Sequence, residues 1–190
     1  MEDDSLLAIL LDETREKMAK VVTHAKEELA GVRTSRPSPS LLERIEVDYY
    51  GSTVPLRQIA GFNVPEARLL VVTPFDKGSI GAIEKAILAS DLGITPNSDG
   101  HVIRLNFPSL TEERRKELVK VVKHMAEENR VAIRNVRRSA RHEIEAMEKK
   151  GEISADELER SEKDLEKLTH EYVAMVDAVL SNKESELLEV

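Results

Sequence analysis

Apolar residues recur at spacings of three and four along both ends of the chain, with a gap of seven where a polar residue intervenes. The first series is Leu7, Leu11, Met18, Val21, Ala25, Leu29 and Val32. The second is Leu118, Val122, Met125, Ala132, Val136, Ala140, Ile144 and Met147, and the third Leu158, Leu165, Leu168, Tyr172, Val176 and Val179. One face of a 3.6-residue helix repeats in this way, so three long amphipathic helices are predicted. Ser109 and Ser154 each stand three residues before a glutamate, Glu112 and Glu157, the spacing of a capping box. Gly151 sits where a left-handed residue would close the second helix. That helix, from about 111 to 150, would be about 60 Å long at ~1.5 Å per residue. Only a few residues separate it from the third, so the two run antiparallel.

The middle of the chain follows a different pattern. Ile45, Val47 and Tyr49 alternate with Glu46 and Asp48 up to Gly51, which reads as a half-exposed strand. Further strands are predicted from Val54 to Ile59, Leu69 to Thr73 and Val102 to Phe107. Ser79 is placed to cap a short helix whose Ile80, Ile83 and Ile87 share a face, and Asn97-Ser-Asp-Gly100 reads as a turn. All seven prolines lie between 37 and 108, with five of the six aromatics and six of the eight glycines, so helix breakers are concentrated between two helical flanks.

The simplest architecture is α+β: an antiparallel three-helix bundle from 1–33 and 109–190, with a small β/α/β domain inserted at 34–108. The crossings at 33–39 and 104–109 contain Arg36, Pro37, Pro39, Phe107 and Pro108, and such a double connection can serve as a hinge.

Composition narrows the function. The absence of Cys excludes disulfides, thiol chemistry and Cys-ligated zinc, and agrees with a reducing compartment. The acidic start, Met1-Glu-Asp-Asp-Ser, is unlike a signal peptide, and no apolar run approaches the ~18–20 residues of a membrane span. A cytoplasmic protein with no membrane partner is expected.

The net charge of −8 conceals a division, since residues 104–141 carry +6 and residues 142–190 carry −9. At about 100° per residue, with Arg130 as zero, Arg134 falls near 40°, Arg137 near −20°, Arg141 near 20° and Arg138 near 80°. The apolar positions centre near 250° by the same count, so the arginines are expected to form an outward stripe. Guanidinium groups suit phosphate oxygens and stack on bases, which makes the stripe a candidate contact for folded RNA or another polyanion. The bland alternative is a solvated face balanced by glutamates of neighbouring helices. No acidic residue occurs within 129–141, so the balance would have to come from elsewhere, and the acidic third helix is a ready source.

Enzymatic and cofactor motifs are not found. The five histidines, His24, His101, His124, His142 and His170, have no metal-ligand spacing. Lys77-Gly-Ser-Ile-Gly81 lacks both Walker and Rossmann spacing, and Asn97-Ser-Asp-Gly lacks the later ligands of a calcium loop. Neither a catalytic triad nor a carboxylate pair stands out, so a non-enzymatic protein without cofactors is expected.

Five segments, in order, resemble the bacterial ribosome recycling factor family. They are Arg33-Thr-Ser-Arg-Pro-Ser-Pro39, Tyr49-Tyr-Gly51 with Pro55-Leu-Arg-Gln58, Ser90-Asp-Leu-Gly93 with Pro96-Asn97, Leu110-Thr-Glu-Glu-Arg-Arg115, and Arg134-Asn-Val-Arg-Arg138. The first departs from the family in having Ser35 and Pro37 where a glycine and a small residue are usual. The resemblance implies an L-shaped monomer that enters the post-termination ribosome beside the remaining tRNA and contacts large-subunit ribosomal RNA. Elongation factor G, which carries the GTP, would act on it to split the subunits and free mRNA and tRNA. By that resemblance Arg33, Arg115, Arg130, Arg134, Arg137 and Arg138 face RNA, with Arg141 completing the stripe. A generic helical RNA-binding or holdase-type adaptor is the other reading.

Overall fold

The computed structural model describes residues 3–189; Met1, Glu2 and Val190, at the ends of the expected bundle segments, lie outside the described residues. Among the described residues four α-helices and six strands follow one another as α1 (Asp3–Ala30), β1 (Glu46–Tyr49), β2 (Ser52–Pro55), β3 (Ala60–Glu66), β4 (Leu69–Pro74), α2 (Ile80–Ala89), β5 (Pro96–Ser98), β6 (Ile103–Asn106), α3 (Glu112–Lys149) and α4 (Ala155–Leu188). By its internal contacts the chain forms two units, one of α1 up to Leu29 with Lys120–Glu184, the other of Ala30–Val119 with the residues from Ser185.

The first unit is a three-helix bundle. Its α1 buries Leu10, Met18, Val22, Ala25 and Leu29; α3 buries Val122, Ala126, Ile133, Ala140 and Ile144; α4 buries Leu165, Leu168, Val176 and Leu180. Arg130 pairs with Asp177, Arg137 with Glu166 and Arg141 with Glu162, so position falls on α4 as it rises on α3 and the two helices are antiparallel. The turn between them is closed by Gly151 at φ +75, with its N–H on the Glu148 carbonyl and that of Glu152 on Met147, the two bonds of a Schellman motif. Ser154 and Glu157 complete the expected box: the Glu157 carboxylate accepts from Ser154 N–H (2.7 Å) and Ser154 Oγ accepts from Glu157 N–H (3.3 Å).

Two expectations about α3 need correction. Met125 and Val136, placed mid-stripe by the periodicity, are only half-buried, and the core line runs through Ala126, Asn129 and Ile133 instead. The start of the helix also differs, because Thr111 rather than Ser109 caps it, its hydroxyl accepting from Arg114 N–H at 3.2 Å. Thr111→Ala should therefore cost about 1 kcal/mol, the usual value of a lost N-cap, whereas Ser109→Ala should stay within about 0.5 kcal/mol. Thermal unfolding of the two variants checks this.

In the second unit β1 and β2 form a hairpin whose two central residues, Tyr50 (φ +50) and Gly51 (φ +83), both take the left-handed conformation that a two-residue turn requires. The Tyr50 hydroxyl is held by the Asp76 carboxylate, and that bond, with one from Gly78 N–H, keeps Asp76 below the usual carboxylate range. Asp76, not Ser79, opens the turn before α2, since Ser79 Oγ donates back to the Asp76 carbonyl instead of capping.

The other four strands make an antiparallel sheet in the order β3-β4-β6-β5. Its register sets Leu70 opposite Leu105 and Val72 opposite Ile103, and all four pack with Ile83 and Ile87 of α2 in one core. The run expected as a strand to Ile59 ends at Pro55 and continues as a 3₁₀ turn, Leu56–Gln58. Within Asn97-Ser-Asp-Gly100 the first two residues belong to β5, and the turn begins at Asp99. Its carboxylate is held far below the ordinary range by Val102 N–H, His101 N–H and Arg104.

Candidate nucleic-acid interface

The arginines of α3 fall into two groups. The buried positions Ala126, Asn129, Ile133, Ala140 and Ile144 centre about 65° from Arg130 and about 45° from Arg137 at ~100° per residue, closer than the apolar pattern alone had placed them. Arg130 and Arg137 consequently lie on the seam with α4, their side chains 20% and 36% exposed, while Arg134 is 44% and Arg141 58% exposed. Arg138 is exposed on the outer side, and no hydrogen bond or ion pair engages its side chain among the described residues.

Each seam arginine meets a carboxylate of α4. Arg130 donates to Asp177 at 2.7 Å and to Glu127 at 2.8 Å; Arg137 donates to Glu166 at 3.0 Å; Arg141 lies 3.0 Å from both Glu162 and Glu145. Partial burial opposes the charge on Arg130, yet its bonds to Glu127 and Asp177 outweigh that and raise its pKa. Arg134 shares Glu127 at 3.0 Å, and the two guanidiniums hold that carboxyl below its usual range. The balance absent from 129–141 thus comes from α4 and from Glu127. The outward stripe expected from the sequence is reduced to Arg134 and Arg138, with Arg141 at its edge.

The residue pattern offered the acidic third helix as the source of counter-charge without the individual pairs, although the short connection at Gly151 contained that signal. A tight turn between antiparallel helices fixes which positions face each other, bringing 141 to 162 and 137 to 166. Asn129 was missed as well. It is 4% exposed and satisfied on every side, donating to Glu28 (3.0 Å) and the Met125 carbonyl (2.8 Å) while His24 Nδ1 meets its oxygen at 3.2 Å. A buried amide with three partners ties α1 to α3 at one register.

Arg33 and Arg115 belong to the second unit. Arg33 donates to the Pro108 carbonyl at 2.6 Å, with its guanidinium carbon 5.8 Å from the centre of the Phe107 ring; burial, and then the charge of Arg114, lower its pKa. The Nε atoms of Arg33 and Arg115 and the Ser35 hydroxyl are buried without a hydrogen-bond partner among the described residues.

The residues expected as a hinge are unevenly placed. Arg36 is exposed and pairs with Glu189 at 2.9 Å, and Pro39 opens the 3₁₀ turn Pro39–Leu41, with Pro37 half-buried just before it. In the second crossing residues 104–106 are part of β6. Phe107 is 1% exposed in the core with its N–H on the Arg68 carbonyl, so that between the end of β6 and the cap of α3 only Pro108 and Ser109 are exposed. No group of three or more potential metal ligands occurs among the described residues, and no described helix is long and apolar enough to cross a membrane.

Comparison with known proteins agrees over nearly the whole length. A family model described as ribosome recycling factor matches residues 25–188. A ribosome-recycling factor of Bacillus subtilis is 56% identical over 181 residues, covering 95% of this chain and 98% of its own, and one of Acidothermus cellulolyticus is 52% identical over the full length of both. Among solved structures, the solution structure of a ribosome recycling factor aligns with a TM-score of 0.78 at 42% identity, over 97% of this chain and 98% of the other. Models of the T. thermophilus ribosome recycling factor and the E. coli elongation factor G bound to the E. coli post-termination complex supply a second match. Its TM-score is 0.69 at 45% identity, over 96% of this chain and 99% of that one.

Proposed function

We propose how this chain works from one premise: it belongs to the ribosome recycling factor family, a family of non-enzymatic translation factors. The chain binds the post-termination ribosome and, with elongation factor G and GTP, separates the subunits and releases mRNA and tRNA for another round. The observation that carries this is the near-complete structural match to a recycling factor placed with elongation factor G on a post-termination complex. The protein acts as a monomer in the cytoplasm, and the nucleotide belongs to its partner.

Within that function α3 supplies the contact with large-subunit ribosomal RNA. Arg134 and Arg138 meet phosphates first, because they project furthest from the bundle core. Arg130, Arg137 and Arg141 join from the seam, and Arg33 and Arg115 add positive charge from the other unit. The mixed unit receives the action of elongation factor G. Bending in the first crossing falls on Arg36 and Pro37, ahead of the turn at Pro39, and in the second on Pro108, since Phe107 is locked in the core.

Light scattering on post-termination ribosomes tests the assignment. Addition of the protein with elongation factor G and GTP should reduce scattering as subunits separate, and omission of any one of the three should leave it unchanged. A protein that pellets equally with large subunits and with generic RNA duplexes, and leaves scattering unchanged in the full mixture, would instead be the helical adaptor.

A further inference from the structure

We propose that the α4 carboxylates Glu162, Glu166 and Asp177 set a threshold for RNA binding, occupying the seam arginines until phosphates displace them. This rests on the reading of α3 as the RNA-binding face. Offsets of 4 and 11 residues keep the three acids within about 60° of one another on α4 at ~100° per residue. They meet Arg141, Arg137 and Arg130 at 3.0, 3.0 and 2.7 Å. Each guanidinium keeps part of its surface open, at 58%, 36% and 20% side-chain exposure, so a phosphate can approach without the helices parting. Exposed pairs of this kind are individually weak and therefore exchangeable.

The consequence is a common penalty on every polyanion that uses the seam. A generic RNA duplex lying along α3 bears that penalty with little to offset it. The ribosome adds contacts beyond the seam, at Arg134, Arg138, Arg33 and Arg115, and so stays above the threshold. The same acids recapture the arginines as RNA leaves, which favours release of a factor that must depart after each round. Charge alone does not explain the arrangement, because Asp164 and Glu171 are equally acidic, exposed residues of the same helix that engage none of the arginines.

The test compares two full-length variants of equal net charge, E162Q/E166Q and D164N/E171Q, for binding to a generic RNA duplex and to large ribosomal subunits across a salt series. E162Q/E166Q should tighten duplex binding about three- to tenfold, within the range two exposed pairs cover. It should also steepen the salt dependence by about 0.7–0.9, the share of Arg137, since Arg141 keeps Glu145 at 3.0 Å. D164N/E171Q should change binding less than about twofold, the residue of long-range screening alone. Equal effects from both variants, or weaker binding by E162Q/E166Q, would overturn the proposal, the latter because the acids would then serve to position the arginines. R137A/R141A separates the two levels of the argument. If it leaves binding to both probes unchanged, the RNA-face reading fails; if it weakens binding while E162Q/E166Q tightens nothing, only the threshold fails.

Discussion

Phe107→Ala should destabilise the mixed unit by about 3–5 kcal/mol, lowering its melting temperature by roughly 12–40 °C. The aromatic ring is 1% exposed among Leu70, Leu105 and Ile83, so truncation removes its transfer energy and leaves a cavity that the sheet and α2 are too well fixed to fill. The Arg33 guanidinium above the ring would lose its partner, while its bond to the Pro108 carbonyl would remain. Pro108→Ala, one residue on and exposed, should stay within about 0.5 kcal/mol. Calorimetry gives the magnitude, and hydrogen exchange at Leu70 and Val72 of β4 locates the loss. A cost below about 1 kcal/mol with β4 still protected would mean that Phe107 is a pivot and not an anchor. Position 107 therefore separates two roles that the sequence merges: residues beside a proline at a crossing look like hinge residues, whether they are packed or free.

Where a single local rule decided the structure, the residues were legible. Gly151 stops α3 because only a left-handed residue closes a Schellman turn, and the Ser154–Glu157 box forms because both partners sit at the required spacing. Strands β3 and β5 were hidden, because Ala60-Gly-Phe-Asn-Val-Pro-Glu66 and Pro96-Asn-Ser98 lack alternation and contain proline. Both are edge strands, where a missing N–H is tolerated, and Pro65 falls in the irregular register between Asn63 and Glu66. Periodicity gave the helices but misplaced the phase of α3, because it counts apolar residues only. The core line passes through Asn129, a polar side chain made tolerable by His24, Glu28 and the Met125 carbonyl, and no apolar count can include it. That error carried over to the arginines, turning Arg130 and Arg137 outward when they lie at the edge of the core.

Replacing Arg134, Arg137 and Arg138 together with alanine should lower affinity for large subunits by about two decades at 0.1 M salt while the bundle stays folded. Each phosphate contact adds about 0.7–0.9 to the slope of log affinity against log salt, so three lost contacts reduce it by roughly 2–2.7, and over the decade from 1 to 0.1 M salt that is the same number of decades. Stability should change little, since none of the three side chains is part of the core. What is lost is the pairing of Arg134 with Glu127 and of Arg137 with Glu166, at about 0.2–1 kcal/mol each for exposed pairs. Removing Arg137 also leaves Glu166 uncompensated on the RNA side, which adds repulsion to the lost attraction. Subunit pelleting across a salt series checks the slope, and thermal unfolding checks the fold. Affinity within threefold of the parent with an unchanged slope would show that these arginines are merely a solvated face; loss of affinity with an unchanged slope would show that they contact something other than phosphate.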